Sequence, residues 1–320
     1  GPSALCGARV RADDHHMASN QQHPVQESVV EQFLAGHRIA VVGASDDPKN
    51  FARTIYTELK AHGYEPVPVH PSAVSVDGDG LDPAHLPRSA RAVYVTPSHQ
   101  YPLGARMPVT RRALLLDWAR RTDSLVLEDD YDGEFRYDVS PLPALRSMPG
   151  AADHVVYIGT ASKLIAPSLR VAWIAAPRRL RERLRVELES RGLVVNEATG
   201  LALAEFIASG SLATHHARVT RTYAARRAAL VAAASDHLPF VVLDGVEAGL
   251  HVVLRLPDDV DDLGVVTRLE QVGVAVSPLS AYAVATPVRG LVLCYAGLPE
   301  TQADAAVRAL AGAIGPDALT

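Results

Sequence analysis

Short apolar runs alternate with longer amphipathic stretches from about Val29 to Arg178. The runs have the length and composition of buried strands, and the stretches between them repeat apolar positions at the 3.6-residue spacing of a helix. Strands are therefore predicted at 37–43, 66–70, 92–96, 124–127, 154–159 and 171–176, with helices at 52–61 and 110–121. Because strands joined through helices pair in parallel, the pattern predicts an α/β fold with a doubly wound, mainly parallel sheet.

The pattern changes after Arg178, where long helices are predicted at 179–191 and 198–235. Strands predicted at 249–256, 272–276 and 291–294, with helices between them, indicate a smaller C-terminal α+β subdomain. A stretch rich in Gly, Pro and Asp at 73–90 reads as a connector. We therefore divide the chain into a polar leader (1–28), a βαβ segment (29–72), a large-domain core (73–177) and a region of long helices with the C-terminal subdomain (178–320).

The charge balance and the cysteine count narrow the class of protein. The 31 Lys and Arg residues face 36 Asp and Glu residues, a net charge of −5, so a nucleic-acid or anionic-membrane partner is not expected. Two distant cysteines, Cys6 and Cys294, indicate neither a disulfide framework nor a metal site. No apolar run is long enough to span a membrane, and the expected location is the cytoplasm.

Lysine is rare in this chain. Of the 31 cationic side chains, 28 are arginines, and the only lysines are Lys49, Lys60 and Lys163. A guanidinium stays protonated, whereas a lysine amine can act as a nucleophile. Each lysine is therefore a candidate for chemistry that arginine cannot perform.

An acidic run lies where a predicted buried strand ends. Residues 128–134 contain five carboxylates in seven positions. Ligands of open α/β sheets bind at such carboxyl ends of strands. Two other interpretations stay open: a solvated acidic turn, or a Mg²⁺ or Ca²⁺ loop, although the EF-hand spacing is not met.

The segment around Lys163 combines an amine with anion-binding groups. A predicted strand ends at Gly159, the hydroxyls of Thr160 and Ser162 precede Lys163, and Arg170 follows. These groups suit a phosphorylated carbonyl ligand that the lysine captures as a Schiff base. The alternative is an ordinary surface lysine.

Three segments together resemble a known family. They are 94–104 (YVTPSHQYPLG), 127–137 (LEDDYDGEFRY) and 159–163 (GTASK) with Arg170. They are similar to the aminotransferase-like domain of MocR/PdxR-type proteins, which belong to the fold type I class that binds pyridoxal 5'-phosphate (PLP). The resemblance extends from about Asp77 to the C-terminus.

The resemblance implies a role for each matching residue. Lys163 matches the lysine that forms the Schiff base with PLP, Asp129 the carboxylate that bonds the pyridine nitrogen, and Tyr131 the hydroxyl beside the phenolic oxygen of the ring. Groups around the phosphate match Thr160, Ser162 and Arg170, and the edge of the ring matches His99, Gln100 and Tyr101.

The resemblance also implies a function. It suggests a PLP-dependent aminotransferase that acts on an amino acid and a keto acid as a homodimer. The alternative is a PLP- or effector-binding domain of a MocR-type regulator with little turnover.

The sequence departs from this family at three places. Nothing before Val29 is long or basic enough for the winged helix-turn-helix of such regulators, so DNA binding is not expected. The family's early segment, which cups the phosphate and stacks an aromatic side chain on the ring, is not recognisable. In the strand before the last helix, where related aminotransferases place an arginine for the substrate carboxylate, the nearest arginine is Arg289.

In place of that early segment, residues 37–71 resemble the opening βαβ of a small Rossmann-like CoA-binding domain. Its turn supplies Gly43, Ser45 and Lys49 as candidate phosphate contacts for CoA or a nucleotide. The other interpretation is a βαβ that only completes the sheet. No metal site is predicted, since neighbouring histidines such as His215 and His216 point about 100° apart on a helix.

Overall fold

A six-stranded sheet organises the first half of the protein. The computed structural model describes residues 38–42, 51–69, 83–137, 142–283 and 288–315. The strands are β1 (Arg38–Val42), β2 (Glu65–Val69), β3 (Ala92–Val95), β4 (Leu125–Asp130), β5 (Val155–Thr160) and β6 (Ala172–Ala175). Their order in the sheet is β2-β1-β3-β4-β5-β6, and all neighbours are parallel except β5 and β6. The predicted mainly parallel α/β sheet is therefore confirmed.

Helices cover both faces of this sheet, as a doubly wound fold requires. They are α1 (Phe51–Ala61), α2 (Val109–Thr122) and α3 (Arg178–Ser190). Alternate residues of a strand point to opposite faces. On β3, Ala92 packs in the cluster that holds Leu180 of α3, whereas Val93 packs in the cluster that holds Leu115 of α2.

The βαβ segment at the start of the chain belongs to the same sheet. Ile39 of β1 pairs with Ala92 of β3, so β1 and β2 extend the sheet formed by β3 to β6. The side chain of Ile39 is buried with Leu125 of β4. The sheet thus continues across the predicted boundary near residue 73, and the domain division itself stays a prediction.

The predicted helix at 198–235 is wrong, because two helices occupy this region. They are α4 (Glu197–Ala208) and α5 (Ser211–His237). The side chain of Asn196 caps α4 by accepting a hydrogen bond from the amide of Ala198 at 3.0 Å. Gly210 separates the helices in the left-handed conformation, with a φ of 76°. A single glycine leaves the helical spacing of apolar residues unchanged, so the sequence pattern predicted one helix where the structure has two.

A four-stranded antiparallel sheet forms the C-terminal subdomain. Its strands are β7 (Leu243–Asp244), β8 (His251–Arg255), β9 (Ser277–Pro278) and β10 (Gly290–Cys294), in the order β7-β8-β10-β9. Helices α6 (Asp262–Gln271) and α7 (Glu300–Ile314) pack with it. The strand predicted at 272–276 is wrong: Gly273 turns the chain with a φ of 79° after α6, and β9 begins only at Ser277.

The outer edge of β6 has no strand partner among the described strands. All four of its residues are exposed, including Trp173 at 41% and Ile174 at 40%. Beside it lies an open groove of about 600 Å³, whose walls include Ile174, Leu188 and Val194. The end of this sheet therefore presents apolar surface. Within the described part of the chain, no helix combines the length and apolarity that crossing a membrane requires.

Candidate PLP site

Three parallel strands end at one edge of the large sheet and bring the sequence motifs together. Val95 of β3 pairs with Glu128 of β4, and Asp130 of β4 pairs with Gly159 of β5. The loops that follow these strands therefore leave the sheet side by side. The ends of these strands and the loops after them carry the residues that the sequence singled out at 99–101, 129–131 and 160–163.

Asp129 lies near the end of β4 among other acidic groups. The hydroxyl of Tyr94, on β3, donates a hydrogen bond to Oδ2 of Asp129. Burial raises the pKa of the Asp129 carboxyl, the bond from Tyr94 lowers it, and the charges of Asp130 and Asp132 raise it again. Within the described residues, no cation contributes to this balance. A cationic ligand would supply the compensating positive charge that Asp129 lacks.

Tyr131 follows β4 and lies against other ring systems. Its ring meets that of Tyr101 edge-on, with centroids 6.3 Å apart and an interplanar angle of 88°. Burial raises the pKa of the Tyr131 phenol well above its usual range, and the nearby charge of Asp132 raises it further. The phenol is therefore a protonated hydrogen-bond donor at neutral pH.

His99, Asp132 and His251 form a buried cluster next to Tyr131. Nδ1 of His99 is 2.9 Å from Oδ2 of Asp132, and the rings of His99 and His251 are in tilted contact, with centroids 4.5 Å apart and an interplanar angle of 46°. Nε2 of His251 donates to the carbonyl of Pro102 at 2.9 Å. Burial, followed by the proximity of His99, lowers the pKa of His251 to about 4, so this imidazole is neutral at pH 7.

The same cluster has the residue types of a metal triad. Ligand atoms of His99, Asp132 and His251 lie within 4.8 Å of one another. Both imidazoles have other partners, however: His99 bonds to Asp132 and His251 bonds to the Pro102 carbonyl. One nitrogen of each imidazole is thus engaged in a hydrogen bond, while Nε2 of His99 and Oδ1 of Asp132 have no hydrogen-bond partner among the described residues.

Lys163 lies just beyond the end of β5. The hydroxyl of Thr160 bonds to Oγ of Ser162 at 2.8 Å and accepts from the Ser162 amide at 3.1 Å, which shapes the turn before Lys163. The Lys163 side chain is exposed, and no hydrogen bond or ion pair of its amine is found among the described residues. Its charge contributes to lowering the pKa of His251, after burial and His99, which places the amine near the cluster.

Arg170 ends the short helical turn at Pro167–Leu169 that follows Lys163. Its φ of 53° lies in the left-handed region, which is unusual for a residue other than glycine. The side chain is exposed and lines the groove beside β6. The guanidinium has no ion pair within the described part of the chain. It is therefore available to an anionic ligand.

Gln100 and Tyr101 are engaged with neighbouring residues. The Gln100 amide donates to the carbonyl of Tyr101 at 2.8 Å and accepts from the amide of Leu103 at 3.3 Å. The hydroxyl of Tyr101 is 2.9 Å from the hydroxyl of Tyr282, in the C-terminal subdomain. Gln100 therefore shapes its own loop, while Tyr101 links the two parts of the protein. Their predicted roles at the ring edge stay predictions.

The structure does not bring Arg289 to this cluster. Its guanidinium is 3.1 Å from Asp262, a buried carboxylate that also accepts from the amide and hydroxyl of Ser280. The carbonyl of Arg289 accepts from the amide of Leu256, just past the end of β8. Leu256 is five residues after His251, which separates the two by about 17 Å at strand spacing. Its role toward a substrate carboxylate stays a prediction. Gly43, Ser45 and Lys49 lie outside the described residues.

Sequence reasoning missed four residues of the site. They are Tyr94, Asp132, His251 and Tyr282. Asp132 and Tyr94 stand inside the recognised motifs, so their position could have flagged them. His251 and Tyr282 reach the site from the C-terminal subdomain, and their spacing from the motifs of the large sheet does not assign them to it.

Two transcriptional regulators are similar in sequence to this chain. The YhdI protein of Bacillus subtilis, described as an uncharacterized HTH-type transcriptional regulator, is 35% identical over 243 residues, which are 75% of this chain and 52% of that protein. PdxR of Corynebacterium glutamicum, an HTH-type pyridoxine biosynthesis transcriptional regulator, is 41% identical over 212 residues, 65% and 45% of the two chains. The chain spans about half the length of these relatives.

A solved structure agrees with the fold. The multiple substrate aminotransferase of Thermococcus profundus superposes with a TM-score of 0.74 and 26% identity, over 90% of this chain and 73% of that one. The relatives are MocR/PdxR-type regulators and aminotransferases, and the structural neighbours are fold type I aminotransferases. The resemblance and the fold predicted from the sequence are therefore confirmed.

A different family matches the start of the chain. A model of the CoA binding domain matches residues 37–102, which include β1, β2 and β3. This supports the resemblance seen in the sequence at 37–71.

Proposed function

We propose that this chain, a homologue of the aminotransferase-like part of MocR/PdxR-type regulators, binds PLP through Lys163 and acts on an amino acid. One observation carries the proposal: the Asp129 carboxylate and the Lys163 amine lie at the ends of adjacent parallel strands, with Tyr131 beside them. The expected partners are an amino acid and a keto acid, and the expected assembly is a homodimer.

The donor set fits this cofactor. PLP combines a cationic pyridinium, a phenolic oxygen, an aldehyde and a phosphate. Asp129 lacks a compensating cation among the described residues, which suits a pyridinium. Tyr131 retains its proton, which suits an oxygen acceptor. Arg170 and the Lys163 amine are exposed and unpaired within the described ranges, which suits a phosphate and an aldehyde.

Each residue would then have a defined task. When bound, the cofactor would supply an aldehyde that condenses with amines and a ring that withdraws electrons from the neighbouring carbon. Lys163 would hold the cofactor until a substrate amine displaces it, and its free Nζ would then carry a proton to and from the substrate α-carbon. Asp129 would keep the ring nitrogen protonated, and Arg170 would anchor the phosphate.

A second candidate function is ligand sensing with little turnover. It is favoured by the ion pair between Arg289 and Asp262, which engages the arginine expected to bind a substrate carboxylate. The named regulator relatives are consistent with this reading. A third candidate, binding of CoA or a nucleotide through Gly43, Ser45 and Lys49, is supported by the family match at 37–102.

Binding is tested first, on the full chain. PLP is added, and absorption is recorded in the region of roughly 390–430 nm, where a PLP linkage to lysine absorbs. Borohydride reduction and peptide mass spectrometry then locate the adduct. We expect a phosphopyridoxyl group on Lys163, lost in Lys163→Ala and retained in Lys60→Ala, which removes an exposed lysine of α1. The absence of any adduct, or an adduct that survives Lys163→Ala, would refute the proposal.

Turnover separates the first two candidates. The loaded protein is mixed with a panel of amino acids, and conversion of the cofactor to its amine form is followed by absorption. Conversion with any of them supports an aminotransferase, whereas stable binding without conversion supports a sensor. A calorimetric titration with CoA, repeated with Lys49→Ala, tests the third candidate.

A further inference from the structure

The pair formed by His99 and Asp132 is sealed inside the protein. Their side chains are 0% and 2% exposed, and Nδ1 of His99 lies 2.9 Å from Oδ2 of Asp132. An ionised carboxylate only accepts hydrogen bonds, so Nδ1 carries the proton. Nε2 of His99 has no hydrogen-bond partner among the described residues. The tautomer protonated at Nδ1 therefore satisfies the only donor of a neutral ring.

The same proton also faces the phenol of Tyr131. The Tyr131 hydroxyl oxygen is 3.4 Å from Nδ1 of His99, a long contact typical of a shared hydrogen bond. Since the imidazole proton is the donor, the phenol oxygen accepts. The hydrogen of Tyr131 itself is then free to point away from the cluster.

Close packing fixes this arrangement. A Cβ atom on Gly249 would lie 2.0 Å from Nδ1 of His99 and 2.5 Å from Oδ2 of Asp132, so the glycine backbone packs directly on the pair. The ring of His251 lies against that of His99 at a tilt of 46°, with centroids 4.5 Å apart, and is held by its hydrogen bond to the Pro102 carbonyl. His99 cannot rotate without displacing these neighbours.

We propose that His99 and Asp132 are positioning residues, which orient Tyr131 so that its phenol donates its proton toward the ligand held at Lys163. This inference rests on the proposed binding of PLP, whose phenolic oxygen would be the acceptor. His99 does not then touch the ring edge, as its sequence match implied, but acts through Tyr131.

The orientation of Tyr131 can be measured through the absorption band of bound PLP, by the pH at which half of the linkage to Lys163 is deprotonated, the pH midpoint. A proton donated to the phenolic oxygen stabilises negative charge there and favours the deprotonated form of the linkage to Lys163. Loss of the donation should raise the pH midpoint of the bound-PLP absorption band. One pH unit corresponds to a tenfold change in proton affinity, and we expect a shift of about that size.

A double-mutant cycle tests the inference on the full chain loaded with PLP. The variants are His99→Leu, Tyr131→Phe and their combination, with His99→Asn as the conservative variant because its amide can still donate toward Asp132. We expect His99→Leu and Tyr131→Phe each to raise the midpoint, the combination to match Tyr131→Phe, and His99→Asn to stay near wild type. Urea unfolding of each unloaded variant reports any purely structural cost.

The outcomes separate the inference from its premise. A wild-type chain that binds no PLP would overturn the proposed function and this inference with it. If PLP binds but His99→Leu shifts the midpoint equally with and without the Tyr131 hydroxyl, or not at all, the inference alone is overturned. Loss of the band after dialysis against EDTA would also overturn it, in favour of a metal ion at His99, Asp132 and His251.

Discussion

The hydroxyl of Tyr94 donates a hydrogen bond to the carboxylate of Asp129 across two neighbouring strands, β3 and β4. This bond lowers the pKa of Asp129, against the effects of burial and of nearby acidic charges, which raise it. Tyr94 therefore helps to keep a buried carboxylate in the charged form that a pyridinium ligand needs.

We expect Tyr94→Phe to weaken PLP binding, and to weaken it more in acid. Without the donor, the pKa of Asp129 rises further, so a larger fraction is protonated at low pH. The expected loss of affinity is about threefold at pH 8 and about tenfold at pH 6, the range of one ordinary hydrogen bond. Absorption titrations with PLP at both pH values measure it. An equal loss at the two values would show that Tyr94 acts by packing instead.

Arg112 anchors the loop that leads to His99. Its buried guanidinium donates to the carbonyls of Met107, Pro97 and Pro143 at 2.8, 2.7 and 2.7 Å. A lysine cannot reach three carbonyls in one plane, so Arg112→Lys leaves buried acceptors unpaired. We expect a loss of about 2–4 kcal/mol in the free energy of unfolding, measured in urea. The matched control is Arg120→Lys on the exposed face of α2, which should change stability little.

Two glycines have similar backbone angles but different surroundings, so alanine substitutions at them distinguish the cost of backbone strain from the cost of close packing. Gly249 and Gly273 have φ values of 72° and 79°. A Cβ on Gly249 would overlap His99 and Asp132, whereas nothing lies within 4 Å of one on Gly273. Gly273→Ala should cost about 1–2 kcal/mol from the left-handed backbone alone. Gly249→Ala should cost at least about 2 kcal/mol more, because the pair must move. Equal melting temperatures for the two variants would contradict the packing seen at Gly249.

The pH dependence of stability should contain a contribution from Glu134. Burial raises the pKa of this carboxyl to about 7 from an ordinary 4.5. Between these values the unfolded chain has released a proton that the folded protein retains, so stability falls as pH rises from about 4.5 to about 7. The contribution is present in full below that window and lost above it.

Glu134→Gln should flatten this part of the profile, because the amide does not titrate. The change is at most about 3 kcal/mol between the two ends of the window. Urea unfolding at intervals from pH 5 to pH 8 follows it, with Glu205→Gln on the exposed face of α4 as the control. A profile in Glu134→Gln with the wild-type slope would show that the carboxyl titrates normally.

Local pattern predicted most of the large sheet. The strands at β1 to β6 and helices α1 to α3 lie within a few residues of their predicted ranges, because each carries its own apolar spacing. The predictions failed at Gly210 and Gly273, where one left-handed residue ends an element without changing that spacing. The edge of β6 could not be foreseen either, since exposure depends on which strands lie beside it.

By itself, the sequence determined the element order, the α/β class and the motifs that carry Asp129, Tyr131, Lys163 and Arg170. Only the tertiary structure decided which groups surround them. His251 bonds to a carbonyl 149 residues earlier, and Arg289 is engaged with Asp262 rather than placed beside Lys163. Such partners are brought together by the folding of distant segments onto one another, and a contact between distant segments leaves no periodic signal in the chain.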